Sequence, residues 1–597
     1  MSTDQTPRPE YPRPSFVREP WVNLNGVWGF AFDPGDSGFE RGLVGAALDG
    51  EIIVPFTPES ELSGIGDVDF HEAVWYRRDV EVPAAWSGQR VLLHLQASDH
   101  DTTIWADGVE VARHRGGWTP ITADLGDVGG STVTVVVRAR DSRHMVRAGG
   151  KQSRKYANHD CDYTRTTGIW QTVWMEPVPH KVHLERARVT PNVGESVFDV
   201  VVPLRGDRAG TSVRATLSAD GTMLDSVTVR ADLDLSVRLR LSAEDSVRLW
   251  SPADPFLYDL VLELLGADGS VLDTVTSYGG LRSVGIDGKA VLLNGKPVFQ
   301  RLVLDQGFYR DGILTAPSDA ALVRDIELSM AAGFNGARLH QKVFEERFLF
   351  HADRLGYLVW GEFGDWGSNV GGHHSDNQQP TASYITQWLE AVERDYSHPA
   401  IVGWCPLNET HQDLHDRITQ LDDVTTGMFL ATKAIDSTRP VLDASGYSHR
   451  VRETDVWDSH NYEQDPAAFA AVMAPLADGM PYENGRDQGE TGWSTPYAGQ
   501  PYFCSEFGGI WWQPGARDDR SVSWGYGQRP ASLEEFYTRF EGLVAALLDD
   551  PLMFGYCYTQ LTDVFQEQNG IYMFDRSEKV EMERIRSAQS KKAAIEG

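Results

Sequence analysis

Apolar and polar residues alternate with a period of two in short runs between about residues 21 and 180, such as "VWYRRDVEV", "RVLLHLQA", "TTIWADGVEV", "STVTVVVRAR" and "QTVWMEPV". Gly, Asp and Asn punctuate them and no helical period runs through them, so they predict an antiparallel β-sandwich behind a Pro-rich entry arm. From about 181 to 285 the same style returns in "KVHLERARVTPN", "SVRATLSADG" and "SVRLRLSA". That predicts a second, smaller sandwich.

Near residue 286 the pattern changes to helical periods alternating with short apolar strands. Ser318 is a candidate N-cap, Leu322, Ile326 and Met330 fall at helical spacing, and Gly333 closes the helix. Likewise "EERFLFHADRLG" predicts a helix capped by Gly356. The strands between helices are "VFQRLVLDQGFY", "FNGARLH", "YLVWGEF", "AIVGWCPLNE", "PVLDAS", "VWDSHNY", "PYFCSEFGG" and "FGYCYTQLTD". Eight strands alternating with helices predict a (β/α)8 TIM barrel over 286–597, after sandwiches over 1–180 and 181–285.

At 597 residues the chain is long enough for several cores, and with 41% hydrophobic residues and 18 Trp its composition is globular and aromatic-rich. A formal net charge of -32 disfavours phosphate backbones and anionic lipid, so no nucleic-acid or membrane partner is expected. No apolar segment of signal-peptide or membrane-spanning length occurs, which makes a soluble cytoplasmic protein the default expectation. Of the four cysteines, Cys161, Cys405, Cys504 and Cys557, the last three sit in apolar runs, and all are read as reduced.

Barrel chemistry lies at the C-terminal ends of the strands, where Glu409 ends the fourth strand and Glu506 the seventh. Two carboxylates facing one cleft suit retaining glycoside hydrolysis, one as acid/base and one as nucleophile. Either Glu alone would as readily pair with a barrel Arg.

These motifs carry a resemblance. "ERDYSHPAIVGWCPLNE" resembles the acid/base signature of glycoside hydrolase family 2, "CSEFGG" its nucleophile strand and "GFNGARLH" its second-strand Asn-x-x-Arg. The segments "DGVEVARHRGGWTPITADL" and "TTGIWQTVWMEPV" resemble its jelly-roll sugar-binding domain. The resemblance implies a jelly roll, an immunoglobulin-like sandwich and a barrel, in that order. It makes Glu409 the acid/base, Glu506 the nucleophile, and Arg338 a cation beneath Glu506 that favours its ionised form. It further implies that Asn408 binds the hydroxyl next to the anomeric carbon and that Tyr462 hydrogen-bonds the nucleophile. Asp99 and His100 in "ASDHDTTIW", and Asp162 in "DCDYTRTTGIW", match loops reaching toward the glycone; as plain turn residues they would cap sandwich loops. His340 and Trp511 are placed near the mouth by position, with core packing as the competing reading.

Other features bear on substrate. The eighth strand has Thr559, between Tyr558 and Gln560, where family galactosidases and glucuronidases place a Trp platform. Glucuronidases carry Asn-x-Lys after it for the substrate carboxylate; here "QEQNGIYMFDR" offers Glu567, which would repel a uronate. Glu567 and Gln560 are therefore candidate substrate-binding residues. No metal or organic cofactor is expected, and His373 and His374 in "GGHHSDNQQP" are read as a solvated loop. Long loops after the third and seventh strands suit a pocket for a chain end, hence exo action. A β-galactosidase is the first expectation and an α-L-arabinofuranosidase or β-galactofuranosidase the alternative. A non-catalytic carbohydrate-binding protein is the reading of another class, and a homo-oligomer is compatible with all of them.

Overall fold

The computed structural model describes residues 6–365, 381–486, 491–515, 520 and 522–597. His373 and His374 lie outside the described residues. The first part folds into a four-stranded and a six-stranded sheet, built on antiparallel pairs such as Thr132–Arg140 with Ala73–Glu81. Their inward-facing residues, among them Trp28, Tyr76, Leu93, Val135 and Met175, form one hydrophobic cluster. Two further four-stranded sheets follow. The strand Ser212–Ala219 buries every second residue, and Val213, Ala215 and Leu217 join Val200, Leu239 and Leu262 in a second cluster. The period of two thus becomes a dry face and a wet face.

The third cluster fills the barrel. Seven parallel strands run in the order Ile401–Cys405, Leu358–Glu362, Gly336–Leu339, Gln300–Asp305, Met553–Thr559, Tyr502–Gly508 and Trp457–Asn461. The expected fifth strand, "PVLDAS", is reduced to bridges from Val441 to Trp404 and from Ser445 to Asn408. Side chains take the donors that a ladder would use: Val441 N donates to Asp455 (2.9 Å), Asp443 N to Thr454 Oγ1 (3.1 Å) and Gly446 N to Asp458 Oδ1 (2.9 Å). Backbone bonds join this segment to the fourth strand, with Leu442 N donating to Trp404 O (2.9 Å) and Ser445 N to Leu407 O (2.8 Å), so side chains replace the ladder only on its other side.

The helix signals hold. Ser318 Oγ accepts from Ala321 N at the start of Asp319–Ala331. Gly356, at φ +74°, ends Glu346–Leu355, and a Cβ there would stand 2.7 Å from the Pro252 carbonyl oxygen, so both backbone and space require glycine. Cys405, Cys504 and Cys557 are buried and all four cysteines are free. Among the described residues no helix is long and apolar enough to cross a membrane.

The first part is pressed onto the barrel mouth. Trp118, Ala148, Tyr163 and Trp170 belong to the barrel's own cluster. Gly150 N donates to Gly364 O (2.8 Å) and Tyr384 Oη to Arg147 O (2.8 Å). Residues 147–152 are thereby held beside the strand ends.

Candidate active site

Glu506 lies where the Tyr502–Gly508 strand shifts register against both neighbours. Such irregularities re-aim a side chain, here into the barrel mouth. Arg338, fully buried, donates from Nη2 to Glu506 Oε1 (2.7 Å) and Asn408 Oδ1 (2.7 Å), and from Nη1 to Ser505 O (2.8 Å). Its Nε stands 2.7 Å from Glu362 Oε2. Burial pushes the Glu362 carboxyl up to about 7, against the pull of Arg338. His340 Nδ1 is 2.8 Å from Arg338 Nη2. Burial, with Lys151 and Arg338 nearby, holds His340 well below the ordinary imidazole value, so the ring is neutral and Nδ1 accepts. On the other side Tyr462 Oη donates to Glu506 Oε2 and lies 3.1 Å from Thr559 Oγ1. The Tyr462 ring stacks on Tyr526.

Glu409 has left-handed backbone, φ +48°, a conformation that costs a non-glycine residue free energy and is found at functional sites. His460 Nδ1 is 2.7 Å from Glu409 Oε1 and 3.5 Å from Glu506 Oε2, and its Nε2 lies 2.9 Å from Ser445 Oγ. The charge of Glu409, with burial, raises the Tyr447 pKa well above the ordinary phenol value. Burial alone would lower the His460 pKa, but Glu506 and Glu409 raise it above the ordinary value. Burial alone would raise that of Glu409, but the His460 hydrogen bond and charge, with Lys151 behind them, lower it. Glu409, His460 and Glu506 each bring one ligand-type atom within 4.8 Å of the other two. With Arg338 bound to Glu506 and a charged imidazole in the group, this arrangement suits proton handling better than cation binding. Asn408 is fully buried, its N donates to Asp365 (3.0 Å), and its Nδ2 has no hydrogen-bond partner among the described residues.

Arg338, His340, Asn408, Tyr462, Glu409 and Glu506 thus converge. Glu567 is buried at the edge of this group. It accepts from Tyr163 Oη and from Asn569 Nδ2 (3.1 Å), and burial raises its pKa against the opposing charge of Lys151. Gln560 donates to Asn569 Oδ1 (2.7 Å). Asp99 is held by Arg147 (3.3 Å) and Gln152 Nε2 (2.8 Å). Burial pushes His100 down to about 3, and the nearby cations Arg147 and Arg115 act in the same direction. Asp162 pairs with His159 at 3.5 Å. Trp511 is buried, its indole N–H donating to Ser523 Oγ (3.3 Å). Asp99, His100, Asp162 and Trp511 make no hydrogen bond to either catalytic candidate among the described residues.

Sequence reasoning missed His460, Tyr447 and Lys151. His460 had a signal: it stands two residues before Tyr462, on the same face of the strand end. Lys151 is a buried ammonium from the first part of the chain, within electrostatic reach of Glu567, Glu506 and Glu409. It lies in a loop with no periodic signal.

Residues 182–282 match the family model "Glycosyl hydrolases family 2", and residues 284–470 match "Glycosyl hydrolases family 2, TIM barrel domain". This chain belongs to glycoside hydrolase family 2. As a family 2 enzyme it hydrolyses glycosidic bonds. It is 26% identical over 438 residues to a beta-glucuronidase of Paenibacillus borealis, covering 68% of this chain and 70% of that one. A beta-galactosidase of Thermoanaerobacter pseudethanolicus is 24% identical over 372 residues, covering 60% of this chain and 47% of its own. Among solved structures, a β-glucuronidase from Ruminococcus gnavus in complex with D-glucuronic acid matches with TM-score 0.76 at 18% identity, over 98% of this chain and 100% of that one. At that identity the likeness is one of fold.

Proposed function

We propose that this family 2 enzyme is a retaining exo-glycosidase, with Glu506 as nucleophile and Glu409 as acid/base. The observation that carries the reading is the separation of the pair, whose facing atoms lie within 4.8 Å. Direct attack needs carboxyl groups roughly 5–5.5 Å apart, a spacing that an oxygen-to-oxygen approach of this length permits. Glu506 attacks the anomeric carbon as the bond to the leaving oxygen breaks, and that oxygen takes its proton from Glu409. Water then attacks the same carbon, Glu409 takes its proton, and the Glu506 ester bond breaks. Arg338 and Tyr462 hold Glu506 by charge-assisted hydrogen bonds. The unpartnered Asn408 Nδ2 fits a hydroxyl beside the anomeric carbon.

The glycone is a neutral sugar, with β-galactosides as the first substrates to test. Glu567 occupies the wall where a uronate would need a cation, and an acidic neighbour there disfavours a carboxylate. Because Thr559 stands beside Tyr462 in place of an aromatic platform, an arabinofuranoside or galactofuranoside ring is the alternative neutral glycone. A β-glucuronide is the second reading, favoured by the buried Lys151 ammonium facing Glu567 and by the activity of the relatives. The reading also assigns 1–180 as a jelly roll and 181–285 as an immunoglobulin-like sandwich, supported by their facing antiparallel sheets.

A panel of nitrophenyl β-galactoside, β-glucuronide, α-L-arabinofuranoside and β-galactofuranoside tests the glycone. Retained configuration in the first-formed sugar, by proton NMR, tests the mechanism. A 2-fluoro glycoside of the accepted sugar should label the peptide "FCSEFGG" in wild type and leave Glu506→Gln unlabelled. Labelling elsewhere with Glu506→Gln active would overturn the assignment.

A further inference from the structure

Beside Glu409 three aromatic rings close into a cluster. His411 lies 5.3 Å from Trp493 and 5.9 Å from Tyr447, and Tyr447 lies 5.3 Å from Trp493, centroid to centroid. The cluster adjoins the proton donor at two points. His411 Nδ1 is 3.1 Å from the Glu409 backbone carbonyl, and the Tyr447 ring lies 5.7 Å from that of His460, which holds the Glu409 carboxylate. Trp493 and Tyr447 are only partly buried.

The rings are held rigidly. The indole N–H of Trp493 donates to Asp413 Oδ1 (3.2 Å), and its neighbours are fixed by Leu414 N to Gly492 O (2.9 Å) and Ser494 Oγ to Tyr447 O (2.8 Å). Gly485, at φ +71°, backs the indole so closely that a Cβ there would stand 2.1 Å from Cδ2. Trp493 is partly exposed and lies outside the barrel's hydrophobic cluster.

We infer that Trp493 and Tyr447 form the subsite for the leaving group, and that it takes a sugar ring. The inference rests on Glu409 as acid/base: the leaving oxygen must lie within hydrogen-bond reach of Glu409, so the ring attached to it falls against Tyr447 and then Trp493. An aromatic face buries the C–H face of a sugar, while polar groups at the rim, here Asp413 and His411, meet its hydroxyls. The natural substrate is then a glycoside whose aglycone is itself a sugar, and the same subsite would receive a sugar acceptor in transglycosylation.

The test compares two donors of one glycone that differ only in the leaving group: β-galactosyl fluoride, which presents no ring to the subsite, and lactose, which presents glucose. The glucuronyl or furanosyl pair replaces them if the chromogenic panel selects that glycone. In Trp493→Ala, kcat/KM for the disaccharide should fall at least tenfold further than for the fluoride, with KM rising, and Trp493→Phe should restore most of the loss. Equal losses on both donors would make Trp493 structural and overturn the subsite, as would a disaccharide unaffected by the substitution. Wild type that turns over neither donor of any glycone would overturn the glycosidase mechanism and the subsite with it.

Discussion

His460 Nδ1 and Glu409 Oε1 meet at 2.7 Å, and the two carboxylates nearest the imidazole hold its proton more tightly than water would. The resting proton of the pair therefore sits on His460 and has to pass to Glu409 before the leaving group can be protonated. His460 is a positioning and proton-holding residue, acting through Glu409.

This sets the alkaline side of the pH profile. Because the folded pKa of His460 is raised, the proton needed by the pair is present below the ordinary imidazole value of about 6.5 and is lost only as pH rises through a higher one. The alkaline limb of kcat/KM should lie above pH 6.5 in wild type and should move in His460→Gln, which holds no proton. An unmoved limb in that variant would remove His460 from the proton path.

Glu409→Ala should separate substrates by leaving group. Aryl glycosides with acidic phenols need little protonation and should keep much of their glycosylation rate, while sugar leaving groups lose it by about 10²–10⁴-fold. Azide should restore turnover of the activated substrates. Equal losses on every substrate would reassign the acid.

Tyr462→Phe deletes one charge-assisted hydrogen bond to Glu506, worth about 1.5–3 kcal/mol. The expected loss in kcat/KM is about 10–100-fold, with the thermal midpoint little changed because the ring and its stacking on Tyr526 remain. Unchanged kinetics would mean that Arg338 alone orients the nucleophile.

Glu567→Gln keeps the shape of the pocket wall and removes its charge, which weakens the repulsion of a substrate carboxylate there. The ratio of kcat/KM for glucuronide over galactoside should rise, read from the nitrophenyl pair. A fall in that ratio would place the glycone elsewhere.

Away from the site, His449 stands between Asp443 Oδ1 (2.9 Å) and Asp458 Oδ1 (3.2 Å). Burial alone would lower its pKa, but the two carboxylates push it up to about 10. Its contribution to stability is thus complete below pH 6.5 and is lost as pH rises through about 10. His449→Gln should be destabilised by about 3–5 kcal/mol near pH 6, and the gap to wild type should close toward pH 10. A gap in denaturation midpoint that does not vary with pH would show that the imidazole is uncharged.

The sequence by itself determined the faces and the ends of elements. A period of two assigned one side of strands such as Ser212–Ala219 to a core, because burial follows side-chain alternation. Glu409 and Glu506 were legible because each terminates an apolar run, and a charge at that point has to face a mouth or a cleft. What only the tertiary structure decided was which distant groups meet. Val441 and Asp443 read as a strand, yet their N–H groups are taken by Asp455 and Thr454. His460 reaches Glu409 across 51 positions, Lys151 enters from another part of the chain, and Trp493 stands beside Tyr447 only because Ser494 and Gly485 fix it there. Hydrophobic patterning sets which side of an element is dry, but partner choice among polar groups depends on how barrel and sandwich close on each other, and no local period encodes that.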